Sequence, residues 1–403
     1  MFKRGFASLL CAALVFSLVM PAAFADDKTG KAQDKSGKAQ ESAPQVDLAP
    51  SAGSAVLLDA DTGTILFEKN HNQKLPPASI TKIMTMLLVM EALDQGKIKL
   101  DEKVRTSEYA ASMGGSQIFL EPGEEMTVDE MLKGIAMASG NDASVAMAEK
   151  IAGTEEAFVG MMNARAKQLG MENTHFVNVN GLPAENHYTS AYDIALMSRE
   201  LLKHEGITKY TGQYQDYLRK DSEKPFWLVN TNKLVRFYDG ADGLKTGYTS
   251  EAKFCLSATA KRDNFRIIAV VLGEPNTKTR NAEVTKMFDY AFSQYMSHPI
   301  FKTGDVIGTV RVEKGEQRDL QLTAKHQYSV LLKKGDSVEN IRYELQLPAL
   351  KAPIAYGQSL GKLIVYRGDT VISEFPVESP TEINKAGWWK LFKRTSMRLF
   401  MAD

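Results

Sequence analysis

A chain of 403 residues, 44% hydrophobic and 24% charged, is long enough to bury a core without cross-links, and its length suggests two or three domains. Lys plus Arg and Asp plus Glu each total 49, so the formal net charge is zero and bulk charge argues for no partner, nucleic acid included. At the N-terminus, Lys3 and Arg4 precede an apolar run from Phe6 to about Met20, then Pro21 and the small-residue site Ala23-Phe24-Ala25. This reads as a signal peptide over 1–25, cleaved before Asp26. The run is short for a membrane span of about 20 residues. Cys11 lies inside it, so cleavage leaves Cys255 alone and excludes an internal disulfide. Within Phe254-Cys255-Leu256 it reads as a buried structural thiol. Residues 26–50 carry a near-repeat, Lys28–Gln33 and Lys35–Gln40, and almost no large apolar side chains; they read as a disordered tether.

The first folded domain is placed at 51–298. Ala55–Leu58 and Thr64–Phe67 flank Asp59-Ala60-Asp61-Thr62-Gly63, a hairpin signal. Ser79–Leu93 is apolar nearly all round, which predicts a buried helix. Further helices are expected at about 127–138, 142–152, 154–169, 190–204 and 280–295. Thr127 with Asp129-Glu130, and Thr154 with Glu155-Glu156, look like capped, acidic first turns. Phe254–Thr259 and Phe265–Leu272 flank a second turn, Lys261-Arg262-Asp263-Asn264. Strands at both ends with helices between predict one sheet built from the two ends of the domain around a helical insert. From 299 to 380 short alternating segments, such as Val306–Val312, Tyr328–Leu332 and Leu363–Tyr366, predict a small β-sandwich or barrel. In 381–403, Trp388, Trp389, Leu391, Phe392, Leu399 and Phe400 fall on one half of a helical wheel, and Lys390, Lys393, Arg394 and Arg398 on the other. That is a basic amphipathic helix suited to a membrane interface. A helix docked on the sandwich is the competing reading.

Three short motifs carry the chemistry. Ser79-Ile80-Thr81-Lys82 places a hydroxyl and an amine on one face at the start of an apolar helix, where burial should lower the lysine's pKa and let it accept the serine's proton. The spacing recurs at Ser250–Lys253 and Ser359–Lys362, but neither begins a long apolar helix. Ser139-Gly140-Asn141 lies between two expected helices and could aim a hydroxyl and an amide into a cleft. Lys245-Thr246-Gly247 precedes the strand of Phe254; its lysine and threonine could bind a carboxylate, and its glycine permits close backbone approach. Lys28-Thr29-Gly30 and Lys302-Thr303-Gly304 repeat the tripeptide outside the first domain.

In that order the three motifs form the set of penicillin-binding proteins and related β-lactamases. With "PPASITKIMT", "ASGNDASVAMAEKIAG", "NTHFVNVNGL" and "DGLKTGYT", the chain resembles low-molecular-weight penicillin-binding proteins, specifically serine D-Ala-D-Ala carboxypeptidases, and somewhat their sporulation-type branch. The resemblance spans about 45–400. It implies an α/β (α+β) penicillin-binding/β-lactamase-like domain with a central antiparallel sheet, then the all-β domain and the amphipathic helix. It implies that Ser79 is acylated by the penultimate D-Ala carbonyl, that Lys82 is the acylation base, and that Ser139 relays protons. It gives Asn141 to the substrate amide and gives Thr246 and Arg280 to the terminal carboxylate. Lys245 would hold the site positive and keep Lys82 neutral, and the N–H groups of Ser79 and Tyr248 would form an oxyanion hole after Gly247. Met113–Phe119 matches a loop near the cleft.

No cofactor or metal is expected; six histidines form no His-Glu-x-x-His, and His175 and His187 read as structural or surface residues. The expected partners are peptidoglycan stems ending in D-Ala-D-Ala, β-lactams as inhibitors, and a membrane surface through 386–403 on the outer face of the cytoplasmic membrane. A β-lactamase of the same fold lacks support, since no Glu-x-x-Leu-Asn lies between Asn141 and Lys245. A DD-endopeptidase shares all three motifs, and a non-catalytic cell-wall-binding or β-lactam-sensing protein is the alternative of a different class.

Overall fold

Turn chemistry shapes the first elements. The Asp59 carboxylate accepts from Thr62 N at 2.9 Å and Gly63 N donates to Asp59 O at 2.9 Å, closing the expected hairpin between β1 (Ser54–Asp59) and β2 (Ile65–Lys69). The computed structural model describes residues 46–204 and 206–400; the expected signal peptide and the expected tether as far as residue 45 lie outside them. Leu48 and Ala49, placed in that tether by their polar neighbours, are instead buried beneath the sheet. A 3-10 turn, Ala78–Thr81, leads into α1 (Lys82–Asp94). From Lys82 to Met90 every side chain is buried, as the all-round apolarity predicts.

The insert follows. β3 (Lys103–Arg105) leads to α2 (Glu108–Ala111), and the chain returns through β4 (Glu125–Thr127) to pair with β3. α3 (Val128–Lys133) opens with the expected capping box: Glu130 N donates to Thr127 Oγ1 at 3.2 Å and Thr127 N to Glu130 Oε2 at 2.9 Å. The helix expected to reach 138 changes at Gly134 into one π turn, Gly134–Ala138, ending on Ser139 in the left-handed region, φ 63°. α4 (Asn141–Ala152), α5 (Glu155–Gln168) and α6 (Ala191–Leu201) then form, with Thr154 and Ser190 capping the last two. α7 (Ile207–Thr211), the pair β5 (Gln215–Leu218) and β6 (Phe226–Val229), and α8 (Leu234–Phe237) complete the insert.

β7 (Ala241–Thr249), β8 (Lys253–Arg262) and β9 (Phe265–Glu274) close an antiparallel sheet of order β2-β1-β9-β8-β7. The two chain ends therefore meet at its centre, with Leu57 opposite Ala269. Alternate residues face opposite layers. Val56, Leu58, Ile268 and Val270 pack against the α1, α4 and α6 side. Ala55, Leu57, Ile267 and Val271 pack against Val284, Met287 and Phe288 of α9 (Thr277–Gln294). Cys255 is fully buried in this sheet, and burial pushes its thiol up to about 11, consistent with a structural role.

β10 (Tyr295–Phe301) runs unbroken through His298-Pro299, across the expected boundary, and pairs with a later strand. It belongs to an all-β unit of β11 (Val306–Glu313), β12 (Asp319–Thr323), β13 (Tyr328–Lys333), β14 (Ile341–Gln346), β15 (Leu350–Lys351), β16 (Ser359–Arg367) and β17 (Thr370–Glu378). Leu320, Leu322, Val330, Leu363, Val365 and Val377 fill its own core. α10 (Trp388–Phe400) is the expected C-terminal helix; the side chains of Arg398, Leu399 and Phe400 fall outside the described part. Among the described residues, no helix is long and apolar enough to cross a membrane.

Candidate active site

Ser79 sits on the tight turn before α1, half-buried, with Ala78 ahead of it held at φ 47°, a left-handed conformation that costs energy outside glycine. Two glycines make room for this turn. Gly181, at φ 88°, lies so close that a Cβ there would stand 1.8 Å from Ala78 O. A Cβ at Gly247 would stand 3.0 Å from Pro77 O, so the glycine lets β7 lie against the serine turn. β7 is a sheet edge, so alternate amides along it are free of β8 and face this turn.

Lys82, the first residue of α1, is fully buried, and its Nζ lies 3.0 Å from Ser79 Oγ, 2.6 Å from Asn141 Oδ1 and 2.6 Å from Asn180 O. Burial holds its pKa well below the lysine range, the Lys245 charge pushes the same way, and Asp142 partly opposes both. Lys245 is itself buried, donates to Thr246 O at 3.0 Å, and is pushed down to about 7 by burial and then by Arg280. Arg280 is 4% exposed and donates to Asn281 Oδ1 at 3.1 and 3.0 Å. Thr246 Oγ1 donates to Thr231 Oγ1 at 2.8 Å. Tyr248 is exposed and stacks on Phe254, ring centroids 4.4 Å apart.

Ser139 is buried, and its Oγ has no hydrogen-bond partner among the described residues. Asn141 Nδ2 donates to Gly114 O at 2.6 Å and Asn141 N to Ser116 O at 2.7 Å. Asp142 accepts from Ile118 N at 3.0 Å and Leu120 N at 3.1 Å. The Ser-Gly-Asn turn and the 113–119 loop are thus one hydrogen-bonded unit. The motifs at 79, 139 and 245 converge, whereas Ser250–Lys253 and Ser359–Lys362 lie on a turn and strands.

Asn180, Asp142, Thr231 and Gly181 also take part, and none of the three short motifs contains them. Asn180 contributes a backbone carbonyl, which side-chain identity does not encode. His187 is buried behind the serine turn rather than at the surface, while His175 is exposed. Val177 N donates to His187 Nδ1 at 3.0 Å, so the ring proton is on Nε2, which donates to Thr81 Oγ1 at 2.8 Å; Thr81 Oγ1 in turn donates to Ala78 O at 2.9 Å. Burial, aided by His175, pushes His187 down to about 4. Its neutral form therefore contributes stability that is complete above pH 6.5 and lost as pH falls from 6.5 towards 4, about 3 kcal/mol in all. Other buried groups titrate in the same window, Glu274 and Asp59 with the opposite sign, so the test is a difference: between pH 7 and pH 4, denaturant unfolding should show the parent losing about 3 kcal/mol relative to His187→Gln. An unchanged pH dependence in the variant would contradict the assignment.

A serine, a lysine stripped of solvent beside it, and a second buried cation define an acyl-transfer site with an anion subsite. Comparison with known proteins agrees. The chain matches the D-alanyl-D-alanine carboxypeptidase family over residues 38–276 and the C-terminal domain of penicillin-binding protein 5 over 295–385. It is 58% identical over 350 residues to the D-alanyl-D-alanine carboxypeptidase DacF of Bacillus subtilis, covering 87% of this chain and 90% of that one. With DacC of Escherichia coli it shares 33% over 384 residues, 92% and 90% of the two chains. Penicillin-binding protein 5 from Haemophilus influenzae superposes with a TM-score of 0.65 at 31% identity, covering 85% of this chain and 99% of that one. The chain belongs to the D-alanyl-D-alanine carboxypeptidase family, a family of serine peptidases and low-molecular-weight penicillin-binding proteins.

Proposed function

We propose that this enzyme removes the terminal D-Ala from peptidoglycan pentapeptide stems through an acyl-enzyme on Ser79, and that β-lactams acylate the same oxygen. The observation that carries this reading is the set of atoms around Lys82 Nζ. A neutral amine has two N–H donors and one lone pair. Asn141 Oδ1 and Asn180 O take the two donors at 2.6 Å, which leaves the lone pair for the Ser79 hydroxyl at 3.0 Å.

Ser79 Oγ attacks the penultimate D-Ala carbonyl while its proton passes to Lys82 Nζ. Developing negative charge on the carbonyl oxygen is met by the N–H groups of Ser79 and Tyr248, each donor contributing roughly 2.7–4 kcal/mol. Ser139, with its uncommitted hydroxyl, passes a proton to the departing D-Ala amine, and water then cleaves the ester. Lys245, Thr246 and Arg280 hold the terminal carboxylate. Asn141 Nδ2 gives one N–H to Gly114 O and has a second for the substrate amide carbonyl, while Oδ1 holds Lys82, so this residue orients base and substrate together.

Purified enzyme should release free D-Ala from a pentapeptide stem and leave cross-linked dimers largely uncut; preferential cleavage of the dimers would make it an endopeptidase. The N-terminal signal at 1–25 and the outward aromatic face of α10 support an exported enzyme held at the membrane surface. Deleting 386–403 should release the mature protein from membranes, and continued sedimentation with them would overturn that part.

A further inference from the structure

The all-β unit carries a cationic cleft separate from the Ser79 site. The β11–β12 hairpin turns through Glu313–Arg318, with Val312 N donating to Arg318 O at 2.7 Å and Lys314 in the left-handed region at φ 55°. α10 lies over this turn, pinned by Arg394, whose guanidinium donates to Gly315 O at 2.6 Å and Glu316 O at 2.8 Å. Between them is a cleft of about 490 Å³ lined by Arg311, Lys314, Arg318 and Arg394, with Glu313 its one acid. Arg394 spends its donors on backbone carbonyls, which leaves its charge unbalanced. Arg311, Lys314 and Arg318 have no ion-pair partner among the described residues. Lys325, Lys362 and Arg367 of the same unit are matched by Glu378, Glu374 and Asp336 at 2.8, 2.8 and 3.0 Å; Lys302, Lys333, Lys351 and Lys385 are also without an ion pair among the described residues but do not line the cleft, so what sets the cleft apart is the gathering of its cations. Unpaired cations gathered in one cleft repel one another, so the cleft is suited to an anion.

What stands beside the cleft identifies the anion. Trp388, Trp389 and Phe392, on the same helix as Arg394, are 68%, 67% and 51% exposed, and their rings cluster with centroids 5.0–5.9 Å apart. Three large rings left in water beside unpaired cations match the layering of a bilayer surface, where aromatic rings reach the acyl boundary and cations meet phosphates. We infer that the cleft between the β11–β12 hairpin and α10 binds the phosphate of an anionic phospholipid head group, so that the β-unit itself, and not α10 alone, holds the membrane. The inference rests on the membrane reading of α10 given above.

Sedimentation of the mature protein with vesicles tests it. Two compositions are used, phosphatidylcholine alone and an equal mixture of phosphatidylcholine and phosphatidylglycerol. The variant R311Q/K314Q/R318Q should lose roughly 100-fold in partitioning to the mixed vesicles, the effect of taking three cations from an anionic surface. Its weaker binding to phosphatidylcholine, carried by the α10 rings, should remain. A control with the exposed lysines of the first domain changed, K97Q/K99Q/K167Q, should bind like the parent. Equal binding by the parent and R311Q/K314Q/R318Q to mixed vesicles would overturn the cleft while leaving the α10 reading intact. Failure of the parent to bind either vesicle would overturn both. Penicillin labelling confirms that the Ser79 domain of each variant is folded, and an unchanged thermal unfolding profile confirms the same for the all-β unit, which has its own core. Soluble poly(glycerol phosphate) should compete poorly with mixed vesicles; tight binding to it that needs the same three cations would assign the cleft to a wall polymer and overturn the lipid.

Discussion

Ser79→Ala should abolish labelling by a fluorescent penicillin and lower D-Ala release by on the order of 10⁶, the scale seen when an activated nucleophile is removed. The fold should survive the change. Ser79 makes no capping bond to α1, and its Oγ meets only Lys82 among the described residues, so the structural loss is one hydrogen bond of about 1 kcal/mol. Lys82 keeps its two carbonyl partners, Asn141 Oδ1 and Asn180 O. The variant should therefore unfold near the parent's melting temperature and still bind a stem peptide without cleaving it. D-Ala release that persists in Ser79→Ala would remove Ser79 from the mechanism.

Lys245→Gln should have two separable effects. The substrate carboxylate loses a charged donor, which lowers kcat/KM roughly 10- to 150-fold at neutral pH. The Lys82 amine loses the like charge that helps hold its pKa down, so its pKa rises. Lys82 must be neutral to take the Ser79 proton, and the ascending limb of the pH profile should therefore move to higher pH. In the parent, Lys245 loses its own charge as pH rises through about 7, so kcat/KM should also fall above that value; this descending limb should vanish in the variant. Measuring kcat/KM for D-Ala release from pH 5 to 10 shows both limbs. A profile that only drops in height, with neither limb moved, would separate Lys245 from the control of Lys82.

Much of the architecture was legible because its causes are local. Turn residues at Asp59–Gly63 and Asp263-Asn264 mark two hairpins, and the apolar character of Ile83–Met90, interrupted only by Thr85, marks a helix buried on all sides. The caps at Thr127 and Thr154 follow from residue type and spacing alone. What escaped depends on distant partners. The 3-10 turn at Ala78–Thr81 exists because Gly181 lets another segment press against it, and the π turn before Ser139 is closed by Gly140 N reaching back to Gly134 O at 3.1 Å. β7 carries no strand signal in the sequence, since Asp242, Gly243 and Gly247 weaken its propensity; pairing with β8 imposes its form. Leu48 and Ala49 looked solvated only because the residues before them are polar.

The candidate site rests on local motifs. Ser79, Lys82, Ser139, Asn141, Lys245 and Thr246 stand in three short motifs, and the structure sets Lys82 against Ser79 and Asn141, with Gly247 packed on the serine turn and the Lys245 charge acting on Lys82. Each motif recruits a partner that it does not contain. Asn180 O completes the contacts of Lys82, Thr231 receives the Thr246 hydroxyl, and Asp142 ties down the 113–119 loop. Two of these depend on where a backbone or a common side chain happens to pass, which no local pattern encodes.

The sheet order carries a consequence for how the enzyme comes into being. β1 is flanked by β2 on one side and by β9 on the other, and Ser54 lies opposite Leu272, over two hundred residues downstream. A growing chain therefore holds its serine turn long before it has the strands that support it. Pairings of such separation close slowly, because a long loop must be ordered before any contact repays it. Acylation competence should then arrive only once β9 has paired with β1 and Arg280 is in place; a chain that stops before β9 holds Ser79 and Lys245 on elements whose supporting strand is missing.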